Sequence, residues 1–158
     1  GPEDIQAPGS DGEVAHNVGG DFAATTGFRV AEDGTVTTPK LDTKEPGGGA
    51  GLARRAVSFS FNGTQWEGQS TLSAPAERLD LRIVAMKNGD AVFAATAVWG
   101  KGQTHATTTE FDPGGLFSSG LLQLVFDPDA MTFTYKVDLA ETDVDSISGS
   151  AEFITAAA

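Results

Sequence analysis

The chain has 158 residues, a net charge of −12 and no cysteine. Its length fits one domain with a core of its own, and the lack of cysteine excludes disulfides, thiolate metal sites and a cysteine nucleophile. The acidic charge argues against nucleic acid and anionic membrane surfaces as partners, because both require a basic surface. No apolar run approaches the roughly 18 residues of a membrane span, so no membrane span is expected.

Residues 1–20 are predicted to be a flexible tether, because they are rich in Gly, Pro, Asp and Ser and have only scattered apolar residues. Gly1-Pro2 resembles the remnant of a cleaved tag, which leaves room for a signal peptide or a lipid-anchoring segment upstream. Such a tether ahead of a β-domain is common in exported bacterial proteins. We therefore expect a secreted, periplasmic or cell-surface location.

Residues 21–158 are predicted to form a single β-domain that begins with a hairpin over residues 21–43. Its first strand alternates apolar and polar residues, and Asp33-Gly34 supplies a turn. Residues 44–54 are predicted to be a loop, because four glycines in five residues cannot hold a regular element. This loop lacks the residue pattern of phosphate-binding loops.

Residues 55–158 are predicted to form a meander of eight strands. Apolar residues recur at every second position, as in Val57, Phe59 and Phe61, so each run has one apolar face. Asn62-Gly63 and Asn88-Gly89 predict tight hairpins. Short connections favour antiparallel neighbours. We expect an all-β fold: an antiparallel meander of about eight to ten strands that closes as a small lipocalin-like barrel or folds into a two-sheet sandwich.

The run 91–99 is apolar on both faces, since Phe93 and Trp99 share one face while Val92 and Val98 share the other. Such a strand is expected to be buried on both sides, so the N-terminal segment, a second sheet or another subunit should cover the two valines. This strand is the predicted contact for a protein partner or a homo-oligomer. The acidic surplus follows it, because residues 100–158 hold two basic and nine acidic residues.

Four aromatic residues are the candidate ligand-binding residues: Trp66, Phe93, Trp99 and Tyr135. Each lies at the apolar phase of its strand, and a packed aromatic core is the simpler explanation of that phase. In a closed barrel of eight strands, the same residues would line a cavity for a small apolar ligand. Tryptophan near a strand end also suits stacking on a sugar.

Asp143 and Asp145 are the candidate metal ligands, because residues two apart in an extended segment point the same way. Calcium takes six to eight oxygen ligands and often binds such acidic loops. The segment lacks the glycine and terminal glutamate of a helix–loop–helix calcium loop, and aspartates in turns usually bind their own backbone. Calcium is the one possible cofactor, and none is otherwise expected.

The chain offers little for catalysis. Its histidines are His16, in the predicted tether, and His105, in a predicted strand, where a lone histidine most often has a structural role. The leading hypothesis is a non-enzymatic secreted or cell-surface β-domain that acts in protein binding or self-assembly. The alternative is a lipocalin-like binder of a small apolar ligand or sugar. A third hypothesis is an enzyme with a barrel cavity, in which Glu110 or His105 transfers a proton.

Overall fold

The computed structural model describes residues 13–18, 21–38, 40–44 and 51–156, and every regular element in these ranges is a β-strand. Among the described residues, no helix is long and apolar enough to cross a membrane. The chain divides into two compact units, Gly1–Pro39 and Lys40–Ala158. The segment 21–43 that was expected to form the hairpin extends across this division, because the boundary follows Pro39 and residues 40–43 belong to the second unit.

The first unit contains one three-stranded antiparallel sheet in the order β1 (Glu13–Val18), β2 (Asp21–Val30) and β3 (Val36–Thr37). The predicted turn at Asp33-Gly34 is confirmed, since the Asp33 carboxylate accepts a hydrogen bond from the Thr35 amide at 2.9 Å. The strand β1 lies inside the segment predicted to be a tether. Residues 1–12 and 19–20 of that segment lie outside the described residues.

The second unit contains two antiparallel sheets. The six-stranded sheet has the order β10-β9-β8-β13-β5-β4, and the four-stranded sheet has the order β11-β12-β7-β6. Their strands are β4 (Lys40–Lys44), β5 (Gly51–Ser58), β6 (Ser60–Phe61), β7 (Trp66–Thr71), β8 (Ala76–Lys87), β9 (Asp90–Gly100), β10 (Thr107–Phe111), β11 (Leu122–Asp127), β12 (Thr132–Val137) and β13 (Ser146–Thr155).

The all-β prediction is confirmed, whereas the barrel is not. Within the described residues, each sheet ends in unpaired edge strands: β10 and β4 in one, β11 and β6 in the other. The predicted meander is wrong beyond its local hairpins, because β13 inserts between β8 and β5. Two open sheets that share one core fit the sandwich alternative.

The two sheets contact each other through aromatic side chains on their inner faces. Phe133 of β12 lies with its ring centroid 5.1 Å from that of Trp99 on β9 and 5.5 Å from that of Phe153 on β13. The alternation predicted from the sequence is borne out on β8, where every second residue from Leu79 to Ala85 is buried. The period of two therefore places one face of each long strand in the core.

The expectation that the run 91–99 is buried on both faces is wrong. Val92 has no partner in the register between β8 and β9, where Ala85 pairs with Phe93 and Met86 with Ala91, and it packs against the core. This extra residue is a β-bulge, which redirects the strand locally. Val98 remains on the outer face and is 38% exposed, because no described residue covers it. A singly exposed valine is common on protein surfaces.

The predicted loop over residues 44–54 is shorter than expected at both ends. The strand β4 includes Lys44, β5 begins at Gly51, and these two residues pair. Residues 45–50 lie outside the described residues. Consequently Arg54, at the end of the predicted loop, and Arg55, at the start of the predicted meander, belong to β5, which pairs with β13 on one side and with β4 on the other.

Candidate functional site

The four aromatic residues predicted to bind a ligand lie in the hydrophobic core. Their exposed fractions are 8% for Trp66, 1% for Phe93, 6% for Trp99 and 0% for Tyr135. The indole N–H of Trp66 donates to the Ala140 carbonyl at 3.4 Å, and that of Trp99 donates to the Gln103 carbonyl at 3.2 Å. Both indoles are thus satisfied by backbone. The packed-core interpretation accounts for all four residues, and their ligand-binding role stays a prediction.

Tyr135 is the one core aromatic with an unsatisfied polar atom among the described residues. Its hydroxyl is fully buried and lies in hydrogen-bond geometry with no described group. Burial raises the pKa of Tyr135 to about 12, because the phenolate would lose its hydration. The nearby Ser70 hydroxyl, which lies outside hydrogen-bond geometry, and the Arg55 charge lower the pKa again without cancelling this shift. The phenol is therefore neutral at any physiological pH.

Asp143 and Asp145 bind separate backbone groups. The Asp143 carboxylate accepts from the Ala140 amide at 2.9 Å, and the Asp145 carboxylate accepts from the Asn88 amide at 2.7 Å. The Asn88 amide, and to a smaller extent Lys87, lowers the pKa of Asp145. No group of three potential metal ligands occurs within the described ranges. These aspartates act as turn caps here, and the calcium site stays a prediction.

The two groups proposed for proton transfer lie in different settings. Glu110 faces the interior side of β10, where its Oε1 accepts from the backbone amides of Leu121 and Leu122 at 2.9 and 3.4 Å. It therefore fastens the start of β11 to the edge of the other sheet. His105 is exposed and lies before β10 rather than within it. Neither setting resembles an activated acid or base.

The strand β10 is an edge strand with an exposed outer face. In its register with β9, Thr107 lies opposite Val98 and Phe111 lies opposite Ala94. Phe111 is 65% exposed. Phe111 therefore lies on the phase of β10 that faces solvent. Glu110 takes the opposite, inner phase, where its carboxylate accepts hydrogen bonds from the backbone amides of Leu121 and Leu122.

We use the name "edge surface" for the outer edge of β10 together with the outer-face side chains of β9 and β10, which are Ala94, Thr96, Val98, Thr107, Thr109 and Phe111. Natural sheets protect their edges with lysine, proline, short strands or inward-pointing charges. The edge strand β4 begins and ends with lysine, and β6 has only two residues. The strand β10 has neither lysine nor proline, and its one charge, Glu110, points inward and accepts hydrogen bonds from backbone amides.

A cleft of about 410 Å³ lies beside this edge, between β10 and the edge strand β11 of the other sheet. Leu122 and Leu124 line one wall, and His105, Ala106 and Thr108 line the other. Two unpaired edge strands thus border the same side of the second unit. The order of the strands in the two sheets brings β10 and β11 to the same side, and no local sequence motif predicts it.

Comparisons with known proteins add little to this geometry. No protein-family model matches the chain, and no curated protein matches it. Among solved structures, the chain is similar to the tailspike protein gp49 from Acinetobacter baumannii bacteriophage Fri1, a capsular polysaccharide depolymerase, with a TM-score of 0.45 and 8% identity. The match covers 76% of this chain and 20% of the tailspike chain. A similarity at this level supports no argument about fold or function.

Proposed function

We propose that this protein is a non-enzymatic binding domain that self-associates through the edge surface, with β10 of one copy pairing to β10 of another. The observation that carries the proposal is an edge strand without lysine or proline that ends in Phe111, a large apolar side chain 65% exposed to water. Exposed strand edges are templates for pairing with another chain. A secreted or cell-surface location is part of the same proposal, and it rests on composition alone.

The residue order of β10 suits antiparallel pairing with itself. A two-fold axis at Thr109 places Thr107 opposite Phe111 of the second copy on the outer face. On the inner face, Thr108 lies opposite Glu110 of the second copy, so no two like charges meet. Threonine and phenylalanine are both favoured in strands. The register thus buries both copies of Phe111 without a repulsive pair.

The proposal moves the predicted contact outward by one strand. The run 91–99 pairs with β8 on one side and β10 on the other, so its backbone has no free edge. Its side chains Thr96 and Val98 still contribute to the edge surface. The hypothesis of a ligand inside a barrel loses its support, because aromatic packing fills the space between the sheets. The enzyme hypothesis also loses support, because the Glu110 carboxylate already accepts a hydrogen bond from the Leu121 amide.

Sedimentation of the purified protein over a range of concentrations tests this proposal. We expect a monomer–dimer equilibrium with a Kd of about 10–100 µM, since a five-residue strand gives an interface at the small end of the range. The variant Thr109→Lys should be monomeric, because two ammonium groups then meet at the axis. Thr64→Lys adds the same charge at an exposed turn and should dimerise like the parent. A strictly monomeric parent, or an unchanged Kd in Thr109→Lys, contradicts the proposal.

A further inference from the structure

A second surface feature lies on the outer face of the six-stranded sheet. It extends over three strands and does not include β10. It is a groove of about 480 Å³ across β5, β13 and β8. Its lining is polar except for Ala151 and consists of Arg54, Arg78, Asp80, Arg82, Ser150, Ala151 and Glu152. We call it the arginine groove. Its volume lies within the usual range of small-molecule sites.

The three arginines of the groove differ in their partners. Arg54 donates to Glu152 at 2.8 Å, and Arg78 donates two hydrogen bonds to Asp80, at 3.0 and 3.1 Å. Arg82 has no carboxylate partner among the described residues. It is exposed, and its cross-strand neighbours are Ser150 on β13 and Thr96 on β9. The Arg82 guanidinium therefore keeps its donors available for a ligand.

The charge of the groove is opposite in sign to that of the chain. Three arginines and two carboxylates leave the groove positive, whereas the protein carries −12. The two carboxylates also lie together, because Glu152 pairs with Asp80 in the register of β13 and β8. Like charges on neighbouring strands destabilise a sheet, so the flanking arginines compensate for them. A ligand that satisfies this lining must offer both an anionic group and hydrogen-bond donors.

We infer that the arginine groove binds an acidic saccharide. The Arg82 guanidinium would hold the sugar carboxylate through two parallel hydrogen bonds, the geometry that arginine and carboxylate favour. Asp80 and Glu152 would accept hydrogen bonds from sugar hydroxyls, and the Ser150 hydroxyl can donate or accept. The ligand thus matches the mixed charge of the groove as well as its polarity.

An acidic peptide fits the same groove less well. Its backbone supplies fewer hydrogen-bond donors for Asp80 and Glu152 than the hydroxyls of a sugar do. Peptide recognition also draws on apolar pockets, and Ala151 is the one apolar residue in the lining. The groove residues lie on β5, β13 and β8, whereas those of the edge surface lie on β9 and β10, so the two inferences rest on different residues.

Calorimetric titration with three short oligomers tests the inference. The probes are trigalacturonate, the neutral sugar maltotriose, and triglutamate, which matches the first in charge. We expect trigalacturonate to bind at low ionic strength, and maltotriose and triglutamate to bind at least about tenfold more weakly. In Arg82→Gln, the affinity for trigalacturonate should fall by about tenfold or more, because a charge-assisted pair is lost.

Lys101→Gln is the matched control, because it removes one positive charge from an exposed turn outside the groove. It should bind trigalacturonate like the parent protein. Three outcomes would overturn the inference: no heat of binding with about 10 mM trigalacturonate, an unchanged affinity in Arg82→Gln, or equal binding of triglutamate. Equal losses in Arg82→Gln and Lys101→Gln would also overturn it, because net charge alone would then explain the binding.

Discussion

Arg54 and Arg55 are neighbours in β5 and show how differently the two faces of the six-stranded sheet are used. The Arg54 side chain is 61% exposed and pairs with Glu152 on the outer face. The Arg55 side chain is 9% exposed and pairs with Asp42 at the margin of the core. The inner face of this sheet thus packs in the core, whereas the outer face carries side chains that the fold does not require. Both proposed binding surfaces lie on the outer face.

Two phenylalanines give the strongest test of this contrast. Phe153 lies on the inner face, fully buried against Phe133, whereas Phe111 lies on the outer face. Phe153→Ala should lower the free energy of unfolding by about 3–5 kcal/mol, because it leaves a cavity in the core. Phe111→Ala should change it by less than about 0.5 kcal/mol in dilute, monomeric protein. Urea denaturation measures both, and similar losses would mean that the two faces are not distinct.

Tyr135 allows the inner face to be probed by pH, since it is the only tyrosine in the chain. Its pKa is about 12 in the folded protein, against 10.0 for an ordinary tyrosine. The folded state therefore favours the neutral phenol, and this contribution is complete below pH 10. Between pH 10 and 12 the unfolded chain ionises first, so the free energy of unfolding should fall by about 2–3 kcal/mol.

Absorbance of the tyrosinate measures this titration in the folded protein and in guanidinium. The Tyr135→Phe variant is the control for other effects of alkaline pH, and its stability should fall less steeply above pH 10. At neutral pH the same variant should be about as stable as the parent, because the Tyr135 hydroxyl has no hydrogen bond to lose. Ionisation near pH 10 in the folded protein would show that Tyr135 is not buried.

The ion pairs Arg54–Glu152 and Arg55–Asp42 should show a smaller difference in stability between the two faces. Asp42→Asn should lower the free energy of unfolding by about 2 kcal/mol, because it leaves the buried Arg55 charge without its partner. Glu152→Gln should change it by less than about 1 kcal/mol, since its pair with Arg54 is exposed to solvent. Thermal melts of the two variants measure the difference. A larger loss in Glu152→Gln would reverse the assignment of the two faces.

The sequence predicted the inner face well because that face is set by local alternation. The buried positions of β8, β9, β12 and β13 follow a period of two that can be read directly from the residues. The Asn88-Gly89 turn was also predictable, and both residues have positive φ, of 52° and 83°. Such local signals depend only on residues close in the chain.

Strand order and the candidate surfaces could not be predicted in the same way. The insertion of β13 between β8 and β5 depends on contacts between distant parts of the chain, and it decides between barrel and sandwich. The arginine groove joins Arg54, Arg82 and Glu152, which are far apart in sequence. The backbone donors that hold Glu110 on the inner phase of β10 come from Leu121 and Leu122, which are 11 and 12 residues further along the chain. The composition of the outer face thus depends on the order of the strands, which local sequence patterns do not predict.

Disulfide trapping tests the pairing of β10 most directly, because the chain has no cysteine of its own. In the proposed dimer, the two copies of residue 109 lie directly opposite, and their Cα atoms are about 4.5–5.5 Å apart, within reach of a disulfide. The account predicts that Thr109→Cys forms a covalent dimer under mild oxidation much faster than Thr64→Cys, which has the same chemistry at an exposed turn. Equal rates for the two variants would contradict pairing through β10.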